Sequence, residues 1–486
     1  MNGSEDGLTL ESAEADCNNV HVHGSRYGVS VTNATVNFRD CTFSGSPVNG
    51  AGINLDSPST VTLTRCLVVD SKYGIMTHYR STWHSLNITD CTFRNNTADA
   101  IHLVHWYAHS VIPATLLLHR NLFSGNSRAV HIHHRYRRIN VLVEVVDNVI
   151  EAAPVNVANQ ASGISVSGVY VNLAAAGSHA HVKLQGNVFL NLPHSAVSIS
   201  RCYRFPLQAN HTTAIIANNF TGLSQTAVVI QCADTAVTLI QNNTFLQNTM
   251  DIGSSCLNIS LGEVGNRESI ELRIDHNEFR ENSGTYIAWI IRSERSTISA
   301  GGVSSLSEFV SNTLVDNIPQ DSTIYSEYSD LRMHFNTFSN QRARYELQVG
   351  FPVDQASNCT LNSWGVATEV GIAARILDHS DIPSVGSVVY VPFLNSSQFD
   401  CTKLMDCSGH GSCIYHDTCL CDTEWSGVDC SEYTCFNLYD CSNHGSCVGP
   451  SLCRCDSGWL QPDCSRTSCI LQNNCSDRGV CSLPNV

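Results

Sequence analysis

The chain has 486 residues, 42% of them hydrophobic and only 14% charged, with a formal net charge of −16. Evenly spread apolar residues exclude a disordered chain, and the acidic balance argues against non-specific nucleic-acid binding. No run of 18 apolar residues occurs, so no segment reads as a membrane-spanning helix.

The start, Met1-Asn-Gly-Ser-Glu-Asp-Gly, has neither the basic residues nor the apolar stretch of a signal peptide. Residues 1–394 then carry a loose repeat. Its core is a polar or small residue, an Asn or Cys, any residue, and an apolar residue. Examples run from Asp40-Cys-Thr-Phe43 and Asp90-Cys-Thr-Phe93 through Arg120-Asn-Leu-Phe123 and Gly186-Asn-Val-Phe189 to Phe335-Asn-Thr-Phe338. With Cys17 and Cys359 placed in the same slot, the series gives about 13 turns. About nine residues later a small residue opens an alternating stretch, as in Ala100-Ile-His-Leu103 and Ala129-Val-His-Ile132. Another strand precedes the slot, as in Thr60-Val-Thr-Leu-Thr64. Strict alternation marks half-buried strands. Three short strands per turn predict an all-β, right-handed parallel β-helix, roughly 60 Å long at about 4.8 Å per turn. Stacked Asn side chains at one corner can satisfy each other's buried amides. Cys41, Cys66 and Cys91, with Cys17 and Cys359, are expected at that corner as small buried thiols. One disulfide is expected among Cys202, Cys232 and Cys256. Cys202–Cys232 is favoured, and the pairing stays open.

The strands aligned on Gly74, Ala100 and Ala129 place His102 and His131 in one outward column. His78 and His133 fall one step further along. The adjoining loops add Trp83, Trp106, Tyr107 and Arg135. Aromatic faces with hydrogen-bonding neighbours suit sugar rings, and arginines suit sulfate or carboxylate groups. These eight residues form the candidate ligand patch, against the plainer reading of a solvated strand face. His131-x-His133 with His102 also has the composition of a zinc site. His21-x-His23 and His179-x-His181 show the same alternation, so no metal or other cofactor is expected. An enzymatic reading needs paired carboxylates or a base. The outer positions beside the patch read as His, Met, Asn and Ser, with only Asp56 near, so no catalytic residue is assigned. Candidate N-glycosylation sites in N-x-S/T sequons are Asn33, Asn87, Asn95, Asn210, Asn258 and Asn395.

The coil ends near Leu361-Asn-Ser-Trp-Gly365 and Val388-Val-Tyr-Val-Pro-Phe-Leu394. This closing element, with the repeat before it and extracellular modules after it, resembles the bark beetle (Anakonda) type of surface protein. The resemblance implies a β-helix ectodomain at the cell surface.

A linker is expected at 395–400. Fifteen of the 23 cysteines follow it. Residues 401–430 and 435–464 share the spacing C-x5-C-x5-C-x5-C-x-C-x8-C, offset by 34 residues, and 469–486 begins a third copy. A cysteine density of this kind belongs to an oxidising compartment. Cys-Ser-Gly-His-Gly-Ser-Cys (407–413) and Cys-Ser-Asn-His-Gly-Ser-Cys (441–447), with Trp425 and Trp459, resemble EGF-like modules of the tenascin and teneurin kind. The spacing alone leaves 15 connectivities per module. The resemblance implies Cys401–Cys413, Cys407–Cys419 and Cys421–Cys430, then Cys435–Cys447, Cys441–Cys453 and Cys455–Cys464. Gly411 and Gly445 are expected at positive φ. One carboxylate before each first cysteine is too few for calcium.

The expected protein is thus the extracellular or cell-surface part of a larger, secreted or membrane-anchored chain. Its expected role is non-enzymatic adhesion, matrix assembly or recognition of a glycan or protein partner with anionic groups. The rival readings are a carbohydrate-active β-helix enzyme, of polysaccharide lyase or glycosidase type, and a secreted glycan-binding protein without an adhesive role.

Overall fold

The computed structural model describes residues 6–23, 26–45, 47–56, 58–77, 85–105, 114–134, 140–152, 167–173, 180–200, 211–231, 236–261, 271–292, 307–327, 331–350, 356–394 and 401–468, the last without 416, 417, 423, 436, 437, 439, 440, 443 and 461. Two compact units divide the chain, 1–393 and 394–486.

The first unit is a parallel β-helix built from three long sheets. Sheet A has 14 strands, beginning with Asp6–Glu11 and Tyr27–Thr32 and ending with Tyr345–Val349 and Ile376–Leu377. Sheet B has 12 strands from Glu14–Asn18 to Leu331–His334, and sheet C has 12 strands of three residues each, from His21–His23 to Thr337–Ser339. The chain visits A, B and C in turn, so each strand pairs in parallel with its counterpart one turn away. Alternation explains the strands. Val61 and Leu63 point inward from Thr60–Thr64 and are fully buried, while its three threonines face outward. Sheet C carries one apolar residue per strand into the core. Phe93 stacks on Phe123 at 5.0 Å, and Phe189, Phe220, Phe245 and Phe279 stack at 4.6–4.9 Å. Trp364 closes the column on Phe338 at 5.0 Å. Each buried ring contributes about 2–3 kcal/mol of transfer free energy.

The corner between sheets B and C holds the expected asparagine ladder. The backbone N–H of each turn donates to the next carboxamide at 2.8–2.9 Å, from Cys91→Asn121 and Asn121→Asn148 to Asn312→Asn336 and Asn336→Asn362. The residue before each slot lies in the left-handed region: Asp40, Arg65, Asp90, Arg120, Asp147, Ala217 and Asn242 have φ of 52–56°. That is why polar or small residues recur there. Cys41, Cys66 and Cys91 share this corner, and sulfur replaces the amide oxygen as acceptor: Cys66 N–H donates to Cys91 Sγ at 3.2 Å.

Cys17 and Cys359 do not share it. Cys17 pairs with Phe38 inside a strand, and Thr42 pairs with His21, which puts Val20 in the corner slot. At the other end Asn362 takes the slot, and Cys359 lies three residues earlier, fully buried. Both cysteines were misplaced by a three-residue shift, which spacing alone does not detect in irregular end turns. Cys256 lies within Ser255–Leu261 and is a buried free thiol, so it forms no disulfide with Cys202 or Cys232. Burial pushes the Cys256 and Cys359 thiols far up, which keeps them inert. Cys202 and Cys232 lie outside the described residues.

A second ladder, not foreseen from the sequence, follows sheet C. It runs Asn96→Asn126 and, further on, Asn248→Asn282→Asn317→Asn340 at 2.8–3.1 Å. It ends on Glu346, which is fully buried. Glu346 accepts from Asn340 Nδ2 at 2.8 Å and Thr323 Oγ1 at 2.6 Å, and pairs with Arg375. A short helix, Glu369–Ala373, is capped by Thr368 and buries Ile372 beside this closure.

In the second unit each described module is a hairpin held by disulfides, with cysteines and one Trp as its core. The bonds are Cys401–Cys413, Cys407–Cys419 and Cys421–Cys430, then Cys435–Cys447, Cys441–Cys453 and Cys455–Cys464. The imidazoles of His410 and His444 lie flat on Trp425 and Trp459 at 3.5 Å. Gly411 and Gly445 are not at positive φ. A Cβ on Gly445 would meet Arg454 O at 2.7 Å and Cys464 Sγ at 2.8 Å, so close approach is what demands glycine there. Residues 469–486 lie outside the described residues.

Candidate functional site

The outer face of sheet A carries the site. Tyr73–Thr77, Asp99–His105, Arg128–His134 and Ser167–Leu173 are successive strands. Their register stacks Met76, His102, His131 and Tyr170 in one column, and Ile75, Ile101, Val130 and Val169 point into the core beside it. The two histidines stand as the sequence alignment expects. His133 pairs with Val104, two positions further along the same face. His78, Trp83, Trp106, Tyr107 and Arg135 lie outside the described residues, so the aromatic and basic loop component of the patch is undescribed.

The central group is one the sequence reading passed over. Asp99 opens its strand, immediately before the small residue used for alignment, and its side chain is 1% exposed. It accepts from His102 Nδ1 at 2.5 Å and from His131 Nδ1 at 3.0 Å, both through Oδ2. Arg128 Nε donates to Oδ1 at 2.6 Å. The expectation that no Asp or Glu stands beside the patch is therefore wrong. The signal was present: the residue preceding the small one reads Tyr73, Asp99 and Arg128 in successive turns. Strand alternation hid it, because the register places these residues at the strand's entrance, where they fold over the face. Asp56 is exposed, two turns earlier and five positions further along.

Burial pushes the Asp99 carboxyl up, but the hydrogen bonds from His102 and His131 and the Arg128 charge outweigh it and hold it well below the usual carboxylate range. Burial lowers His131, against the opposing pull of Asp99. Burial and the Asp99 charge raise the Tyr73 phenol. The site at neutral pH is thus one carboxylate and one guanidinium, with His131 held toward its neutral form. With Nδ1–H given to Asp99, the His131 imidazole presents Nε2 as an acceptor. Aromatic rings wall the pair: Tyr73 lies 4.6 Å from His102, and Tyr170 lies 5.1 Å from His131. A groove of about 390 Å³ continues from Arg128 and Tyr170 past Ser198 to His194 and Gln225, which hydrogen-bond each other at 3.1 Å.

The arrangement can accept hydrogen bonds from hydroxyl groups, stack rings and take a proton at Nε2. Asp99 is saturated by three donors and cannot serve as one of two hydrolytic carboxylates. Among the sequons, Asn33 and Asn95 are exposed at turns, and Asn87 and Asn258 are half-buried on outward strand positions. Asn210 and Asn395 lie outside the described residues.

Residues 1–168 match the family described as the right-handed β-helix region, and residues 435–464 match the EGF-like domain. No curated protein matches the chain. The first fold is found in enzymes and in non-enzymes alike, and a β-helix joined to disulfide-bonded EGF-like modules fits an extracellular modular protein.

Proposed function

We propose that this chain is the recognition part of an extracellular or cell-surface protein, and that the outer face of sheet A binds a glycan without transforming it. The Asp99-bridged histidine pair supports this most directly. Burying a carboxylate is costly, and here the cost secures two imidazoles in one orientation beside two tyrosine rings and a groove. Nε2 acceptors suit sugar hydroxyls, and the half-exposed Arg128 suits a carboxylate or sulfate on the same chain. The EGF-like modules serve as a disulfide-bonded spacer. Adhesion or matrix assembly is the role proposed for the parent protein. The test is binding of the full chain to immobilised neutral, carboxylated and sulfated oligosaccharides. Binding that H102A and Y170A each weaken at least tenfold supports the reading. Equal binding by both variants sinks it.

A second reading rests on the same Asp–His contact. A buried carboxylate holding an imidazole by Nδ1 is how a general base is oriented. Steady release of shortened or unsaturated products from an acidic polysaccharide, lost in H131A, would make the protein a carbohydrate-active enzyme.

A further inference from the structure

We propose that Asn258 carries an N-linked glycan whose first sugars lie on an aromatic platform made by Trp289, Tyr325 and Tyr286. The proposal rests on the secretory compartment that the disulfide-bonded modules point to, and not on glycan recognition beside Asp99. It assigns the far half of the outer face of sheet A to the chain's own sugar.

Register carries the proposal. Asn258 opens an Asn-Ile-Ser sequon within Ser255–Leu261 and faces outward. Its cross-strand neighbours are Val229 on one side and Trp289, of Ser283–Arg292, on the other. Trp289 pairs in turn with Tyr325. At about 4.8 Å per strand, Tyr325 stands roughly 10 Å from Asn258, a span that the first sugars of an N-linked chain cover. Tyr286, at the entrance of the Trp289 strand, stacks on Tyr325 at 4.9 Å and lies 5.5 Å from Trp289. Trp289 meets Tyr325 edge to face at 6.4 Å. All three residues are half-buried, so apolar area stays in water that the C–H face of a sugar would cover. Among the described candidate sequons this neighbourhood is particular to Asn258. Asn87 pairs with Thr62 and Leu117, and Asn33 and Asn95 lie at turns.

The side chains fit the attachment. The Asn258 amide makes no hydrogen bond among the described residues, and neither of its polar atoms is sealed from solvent. Trp289 Nε1 is buried and unpaired among the described residues, so Trp289 offers its ring and not a hydrogen bond. Partners for sugar hydroxyls and the acetamido group stand at the rim. Asp321 is exposed, and Glu327 and Gln348 are half-buried. Burial, and then the neighbouring Asp321 carboxylate, raise the Tyr286 phenol, which keeps it a neutral donor. Attachment takes a polyprenyl-diphosphate-linked oligosaccharide as co-substrate. Asn258 Nδ2 bonds to sugar C1, and the C1–O bond breaks with its electron pair leaving on the diphosphate. One amide proton passes to a base on the transferring enzyme. A site inside a strand requires this step before the strands pair. The glycan then covers the column beyond Val229 and leaves the face from Met76 to Ser198 open to a ligand.

The full chain is secreted from animal cells behind a leader, and its peptides are mapped by mass spectrometry before and after peptide-N-glycosidase. A glycan at Asn258 is expected, and S260A should remove it. An unmodified Asn258 in protein whose other sequons are occupied overturns the assignment. Packing is read from the rate at which peptide-N-glycosidase releases the Asn258 glycan from the native protein. W289A should raise that rate about 2- to 10-fold, the range that a lost ring contact sets. An unchanged rate overturns the platform. Where W289A is not secreted, the wild type decides by nuclear magnetic resonance. The acetamido methyl of the Asn258-linked sugar should lie upfield of the same group at another occupied sequon, because the indole ring shields it. Coincident resonances overturn the platform. Oligosaccharide binding that depends on His102 is measured separately, so that reading and this one fall independently.

Discussion

Asn243 shows what a single ladder residue does. Its carboxamide accepts from Asn218 N and Nδ2 and donates to Ile215 O, Gln241 O and Asn277 Oδ1, all at 2.8–3.0 Å, and it is 1% exposed. Asn243→Ala strands buried donors on Asn218 and acceptors on the turns around it. The expected loss is about 2–4 kcal/mol in urea unfolding, and a loss below about 1 kcal/mol would show that the ladder is not a stabilising element. Asp99 sets a pH dependence. Its folded pKa lies below its unfolded one, so in the acid range the native state binds fewer protons there than the unfolded state does. The stabilisation is complete above the ordinary carboxylate range and is lost below it. The stability gap between the wild type and D99N should narrow between about pH 5 and pH 2. A gap that stays constant in urea melts across that range would show that Asp99 is not held ionised by its partners.

Elements are coupled through their ends. The second asparagine ladder terminates on Glu346, whose carboxylate has Thr323, Asn340 and Arg375 as partners and no exposure. Burial raises its pKa in spite of those partners. Arg375→Ala leaves a buried carboxylate without its cation and should cost about 3–5 kcal/mol. Glu346→Gln in the same background should recover part of that loss, because it removes the unpaired charge; no recovery in chemical denaturation would mean that Arg375 acts through packing alone. In the EGF-like modules the hairpins are too small for an apolar core, and cysteines with Trp425 or Trp459 take its place. Replacing Cys407 and Cys419 by Ser should destabilise the first module by about 2–5 kcal/mol. Peptide mapping of the unreduced protein checks the six bonds directly.

The whole molecule consists of two units stabilised by different means. The β-helix depends on stacked apolar side chains and buried amides, while the modules depend on disulfides. A reducing agent should therefore remove the structure of the modules, and in a C202S/C232S background it should leave the unfolding midpoint of the β-helix within about 2 °C, well under the shift that 1 kcal/mol produces in a domain of modest size. Differential scanning calorimetry with and without reductant measures this; a large shift of the main transition would mean that the coil also depends on a disulfide. The acidic balance of the chain sets a further condition on ligands. An anionic glycan must be attracted locally at Arg128 against a net charge of −16, so its binding should weaken with added salt less steeply than binding to a basic protein.

The sequence by itself determined the coil, its corner ladder and the six-cysteine modules. These follow from local rules that repeat: strand alternation, a left-handed corner residue such as Asp40 or Asp90, and a fixed cysteine spacing. It also placed His102 beside His131, because both are counted from the same small residue. Only the tertiary structure decided which residues fill the end turns, where Val20 and Asn362 displace Cys17 and Cys359 from the corner. The second ladder was masked rather than absent: Asn96, Asn126, Asn248, Asn282 and Asn317 each stand five positions after the corner residue of their turn, but Leu192 and Leu223 fill that position in the middle turns and interrupt the repeat. Asp99 was hidden for a related reason. A carboxylate becomes a buried hub only when two neighbouring turns bring His102, His131 and Arg128 onto it, and hydrogen bonds of that kind run between turns rather than along the chain.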